Sequence, residues 1–239
     1  MPTQLERIEA LAAHLLDEFL GLRQRYALLE PMLYDRDVIS TRGAGKQARG
    51  FAALKHSLFL SCVQEVAKLA TDRDSRAPSV VNIVAQLGEP SLLATLRTRY
   101  SQWVVPSTEK EDDPLIVEAL RRIELREQAG RLTQFGDHVR ELLSLESALA
   151  ASPAITAFRT VRDKLTAHTE VRFVADKYQL VDIGTLGVKW GDIKTTLAEL
   201  QRAVELVGFV VRNAGFAWDA LETQLESTAH GFWSPAAGT

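Results

Sequence analysis

The chain has 239 residues, with 28 Lys and Arg against 31 Asp and Glu for a formal charge of −3, and it is 46% hydrophobic and 25% charged. Such a composition belongs to a globular protein with a real core, as one large domain or two small ones, and not to a disordered chain. The acidic balance argues against a non-specific coat for nucleic acid, no apolar run reaches the roughly 18 residues of a membrane span, and the single Cys62 excludes an internal disulfide and a Cys-based zinc cluster.

The N-terminus carries acids where an export signal would be basic, so the expectation is a soluble, cytoplasmic protein. Leu5, Ile8, Leu11, Leu15 and Phe19 recur at spacings of 3 or 4, which predicts a helix over about 3–33. The glycines at 43, 45 and 50 predict a loop over 34–50. A second helix follows over about 51–71, with Phe59, Val63 and Val66 on one stripe. Ser79 reads as the N-cap of a short helix that Gly88 ends, and Pro90 restarts a helix through about Trp103.

Segment 105–114 is polar and bounded by prolines, which makes it the best linker candidate. A long charged helix spans about 114–149, with an interruption near Gly130 or Gly136. Pro153 opens another, to about His168. The glycine-bearing stretch after it lacks a helical period and reads as an ordered loop or a short hairpin. Asp192 offers an N-cap for a last helix over about 193–226, and 227–239 reads as a loose tail. The whole predicts one all-α domain over 1–226, a bundle of long antiparallel helices with a short irregular loop after the 153–168 helix.

Several chemical signals fail. The 42–47 segment, RGAGKQ, lacks the first glycine of a phosphate loop and has Gln47 where the hydroxyl should stand. Cys62 sits among apolar helix positions and reads as a structural thiol. His14, His56, His138 and His230 lie on different helices, and the Glu226–His230 pair falls at a fraying end, so no metal or cofactor is expected. Trp103, Trp190, Trp218 and Trp233 are scattered and read as core or interface anchors.

One segment stands apart. In FRTVRDKLTAHTEVR, residues 158–172, Arg162, Asp163 and His168 form Arg-Asp-x4-His at a helix end. This resembles the signature of the HEPN superfamily, and Arg162-Asp163-Lys164 with Ala167-His168 is similar to the abortive-infection, AbiU-type branch. Segments 58–87 and 186–201 resemble that branch's flanking elements, so the likeness covers about 50–215. It implies an all-α HEPN-like bundle, homodimers formed through the motif helix, and a metal-independent RNA endonuclease of phage defence or toxin–antitoxin systems. The implied products are a 2′,3′-cyclic phosphate and a 5′-hydroxyl, and the implied partners are single-stranded or loop RNA and an antitoxin.

Chemistry suits these residue types. Histidine can serve either proton role near neutral pH, and arginine offers a fork of donors to phosphate oxygens. His168 is then the acid/base group, Arg162 the phosphate stabiliser, and Asp163 the orienting partner of Arg162 or His168. Arg159, Lys164 and Arg172 are candidate RNA-phosphate contacts, and Tyr178 or Trp190 could stack on a base, though a core role suits them better. On an ideal helix Arg162 and His168 lie about 120° apart and about 9 Å along the axis, a poor site for one chain and a better one for two packed copies. Two other readings stay open: a solvated salt-bridge network, and a non-catalytic interaction or nucleotide-binding module of the same fold.

Overall fold

A capping box starts the first helix. The Thr3 hydroxyl accepts from the Glu6 amide, the Glu6 carboxylate accepts the Thr3 N–H, and α1 runs Gln4–Tyr34. The computed structural model describes residues 3–105, 113–167, 171–174, 177–180 and 187–234, with no side chains over 165–180. Ile8, Leu11, Leu15 and Phe19 are buried as their spacing predicts, and the stripe continues through Leu22, Tyr26, Leu29 and Met32.

The expected loop over 34–50 is largely helical. Asp35 caps a short α2, Arg36–Arg42, by accepting from the amides of Asp37 and Val38, and Gly43 ends it. A single 3₁₀ turn, Gly45–Gln47, starts at a left-handed Gly45 (φ 61°) and feeds α3, Ala48–Thr71. Helices α4, Val80–Leu87, and α5, Pro90–Ser101, match the sequence reading, with Ser79 as cap and Gly88 as stop. Of the linker candidate 105–114, residues 106–112 lie outside the described residues.

Helix α6 runs Pro114–Ala151 without a break at Gly130 or Gly136. Its buried residues are Phe135, Leu142 and Leu149, seven apart, so only its second half enters the core along one narrow seam. The first half leaves Leu115 81% and Leu125 68% exposed. It is tied to the end of α5: the Val105 amide donates to Glu124 (2.9 Å), Gln128 to the Trp103 carbonyl (2.9 Å) and Arg131 to the Tyr100 carbonyl (2.7 Å).

Helix α7, Pro153–Val161, is followed by a π-helical turn, Arg162–Ala167, and by a two-stranded antiparallel hairpin of β1, Val171–Val174, and β2, Lys177–Leu180. The last long helix is two. Helix α8 starts at Trp190, where Asp192 acts from the third position by accepting the Lys189 amide (2.9 Å), and it ends at Arg212. Asn213 is left-handed (φ 50°), and the amides of Asn213 and Ala214 close back on Phe209 and Gly208. Helix α9, Trp218–Trp233, then includes residues 227–233, which the sequence reading placed in the tail.

The architecture is an all-α bundle with a small hairpin attached. Ten buried residues on α8, from Ile193 to Val211, make it the spine, in contact with α1, α3, α4, α5, α6 and α7. The opposite faces of α1 and α3 complete the core. No helix among the described residues is long and apolar enough to cross a membrane.

One hydroxyl joins the end of α3 to the start of α4. Ser79 is fully buried, donates to the Asp72 carbonyl and accepts from the Asn82 amide. Ser79→Ala should therefore lower unfolding free energy by about 1–2 kcal/mol, as a lost cap with an orphaned carbonyl does. Urea denaturation would measure it, and an unchanged midpoint would contradict the assigned cap.

Candidate functional site

The motif is positioned by what is buried beneath it. Ser152 caps α7 and Pro153 occupies its first turn; Ile155, Phe158 and Val161 then point inward, against α3, α6 and α8. This one-sided burial turns the next residues outward. The Arg162 side chain is 28% exposed and that of Asp163 56%, and Arg162 Nε donates to Asp163 Oδ1 at 2.9 Å. Asp163 thus holds the neighbouring guanidinium through its carboxylate.

The ideal-helix arithmetic needs correction. Residues 162–167 form a π turn, whose hydrogen bonds close one residue further along than in an α-helix, so the turn is wider and rotates less per residue. The azimuth of about 120° between positions 162 and 168, which assumes a regular α-helix, therefore does not carry over. His168 itself lies outside the described residues. Arg172 is in β1 and Tyr178 in β2, with their side chains outside the description.

Lys164 is half-buried beside the pair. Arg159 is elsewhere: it lines a cleft of about 380 Å³ with Thr71, Arg73 and Glu146, which Arg162 and Lys164 do not line. Trp190 is 43% exposed, its ring 4.3 Å from that of Phe59 and its face 5.7 Å from Lys55 Nζ. It is an anchor with one open side, between the two readings offered for it.

Neither dismissed group gains a chemical role. Cys62 is fully buried, and desolvation pushes its thiol up to about 12, with nearby Arg25 opposing and Glu65 adding to the shift. His138 is stacked on Phe209 at 5.1 Å with its Nε2 buried and unpartnered; burial first, then Arg202, pushes its pKa down, against the pull of Glu141, Asp137 and Glu205. Among the described residues, no three His, Cys, Asp or Glu side chains form a group fit for a metal.

The sequence reading missed a cleft of about 920 Å³ between α1, α2, α8 and α9. Tyr26, Trp218 and Trp233 are among its walls, and six carboxylates line it against Arg23 and Lys194. Both cations are engaged: Arg23 with Glu222 and, at 2.6 Å, Gln201; Lys194 with Glu30 at 2.8 Å. Glu226 and His230 also line it, on an α9 pinned by the Trp233 indole N–H to the Leu28 carbonyl (3.0 Å). The acids of α9 at spacings of 3 and 4 (Asp219, Glu222, Glu226) were the available signal.

Comparison with known families gives one match: the AbiU2 model of the HEPN proteins aligns with residues 5–232. The chain belongs to that family. The match takes in α1 and α9, well beyond the 50–215 that the motif and its flanks suggested. No curated protein and no solved structure matches the chain.

Two measurements follow from the buried groups. A thiol reagent at pH 8 should leave Cys62 unmodified in the native protein and react stoichiometrically in guanidinium; rapid native labelling would contradict the burial. His138 is held below the unfolded value of about 6.5, so the stability it contributes is present above pH ~6.5 and is lost as pH falls through its folded value. His138→Phe should flatten the fall in melting temperature between pH 7 and 5, whereas an unaltered pH profile would assign that fall to other groups.

Proposed function

We propose that this chain is a metal-independent RNA endonuclease of the HEPN type, acting in phage defence or as the toxin of a toxin–antitoxin pair. The observation that carries the reading is the outward-facing Arg162–Asp163 pair, hydrogen-bonded at 2.9 Å at the end of a helix anchored in the core, in a chain of the AbiU2 family.

The chemistry follows from the groups. RNA carries its nucleophile, the 2′-hydroxyl, which loses its proton as its oxygen attacks phosphorus. The bond from phosphorus to the 5′-oxygen breaks, that oxygen takes a proton, and a 2′,3′-cyclic phosphate and a 5′-hydroxyl remain. His168 handles the protons. Arg162, fixed by Asp163, meets the negative charge that builds on the phosphoryl oxygens. Lys164, Arg159 and Arg172 hold neighbouring phosphates. A site of one proton carrier and one guanidinium gains its second set from a symmetric copy, so the active form is a homodimer through the motif helix. The substrate is a single-stranded or looped RNA, whose exposed bases can reach Trp190. A protein antitoxin would silence it.

Incubation of the purified chain with a mixed RNA pool in EDTA should yield cyclic-phosphate ends. His168→Ala and Arg162→Ala, both still helical by circular dichroism, should each lose about a hundredfold or more in rate. Light scattering should give twice the 26.5 kDa protomer mass. Equal cleavage by wild type and variants would assign the activity to a contaminant. Specific RNA binding without cleavage would favour the non-catalytic module.

A further inference from the structure

The α1–α8–α9 cleft cannot share the RNA proposed for the motif. With six carboxylates against two paired cations it repels a phosphate backbone. Two of the six, Glu222 and Glu30, are neutralised by Arg23 and Lys194, and one oxygen of Asp35 is taken by the amides that start α2. Asp37, Asp219 and Glu226 form no ion pair among the described residues and are exposed to the cleft mouth. The cavity is therefore built for positive charge.

Its shape selects among cations. Asp219 and Glu226 are seven residues apart on α9, which puts them within about 20° of one stripe and about 10 Å apart along the axis. Leu225, Ala229 and Leu197 give the cleft apolar surface, and Glu222, between the two acids on α9, is already spent on Arg23. The three acids do not form a metal-holding group with any neighbour among the described residues, so a compact divalent ion does not fit the pattern. Charge at each end with hydrocarbon between is what the walls complement. Tyr26, Trp218 and Trp233 are also among its walls and add aromatic surface for methylenes.

We propose that this cleft is a binding site for a linear aliphatic polyamine, its terminal ammonium groups at Asp219 and Glu226 and its methylenes along the aromatic and aliphatic walls. A volume of about 920 Å³ holds such a chain with room for water, and the acids of the α2 end offer a third point of attachment. Binding weakens with ionic strength, because the carboxylates at the mouth are screened.

Calorimetry of the full chain with spermidine, without RNA, tests this. One spermidine per chain is expected, with affinity falling roughly tenfold in the Asp219→Asn, Glu226→Gln double variant, as two partly screened ion pairs allow. Glu226→Asp should keep part of the affinity, and Glu118→Gln, on the far half of α6, all of it. Both acids are exposed, so the double variant should melt with the wild type. No heat at millimolar spermidine, an unchanged affinity in the double variant, or equal heat from magnesium chloride would overturn the proposal. So would a lysine-rich peptide binding more tightly through the same two acids, which would make the cleft a protein-docking groove.

Discussion

Burial of Ile155, Phe158 and Val161 against α3 is the contact on which the motif depends. These three side chains are at most 1% exposed, and a core aromatic such as Phe158 is worth about 3–5 kcal/mol against Ala. They fix the rotation of α7. Once that rotation is set, Arg162 and Asp163 have nowhere to point but outward, and their mutual hydrogen bond follows. The π turn begins directly after Val161, the last residue of the buried α7 stripe, and stays in contact with α3. Such turns are common where a helix presents chemistry.

Periodicity carried most of the fold. The stripes of α1 and α3, the cap at Ser79, the stop at Gly88 and the prolines opening α5, α6 and α7 were all legible, because each rests on a local rule. What was not legible depended on competition between local signals. Glycines at 43, 45 and 50 outweighed the Asp35 cap, yet only Gly43 and Gly45 shape turns, and a seven-residue helix fits before them. The Asn213 break was written in Asn-Ala-Gly, but the apolar period on either side masked it. At the site, Arg162 and Asp163 were readable from their pattern. The cleft that Arg159 lines with residues of α3 and α6 was not readable, because it is made by the packing of three helices.

Charge divides the molecule. The motif gathers Arg162 and Lys164 with one carboxylate, while the α9 side concentrates acids around a deep cleft. With a net charge of only −3, it is the local grouping of charges, not their sum, that would draw or repel a polyanion. Sequence distance hides this arrangement. Glu30, Lys194 and Glu222 belong to three helices, and only the packing of α1 and α9 beside α8 brings them together.

Of the first fifty residues, whose place the motif could not reveal, α1 is part of the core. Nine buried side chains of α1 lie against α3, α8 and α9, so no bundle remains without it. The family match beginning at residue 5 agrees with that dependence. Aromatic contacts run from there to the motif's own support: Trp233 donates to Leu28 of α1 and meets Phe51 of α3 edge-on at 6.0 Å, and further along α3 Phe59 carries Trp190, the first residue of α8. Each such pair is worth about 0.5–1.5 kcal/mol beyond its buried area. The first joins α9 to α3, the helix against which α7 is clamped, and the second joins α8 to it. The end of α9, read from sequence as frayed, is thus ordered by the same helix that orders the motif, and the acidic cleft and the Arg162–Asp163 pair share one frame.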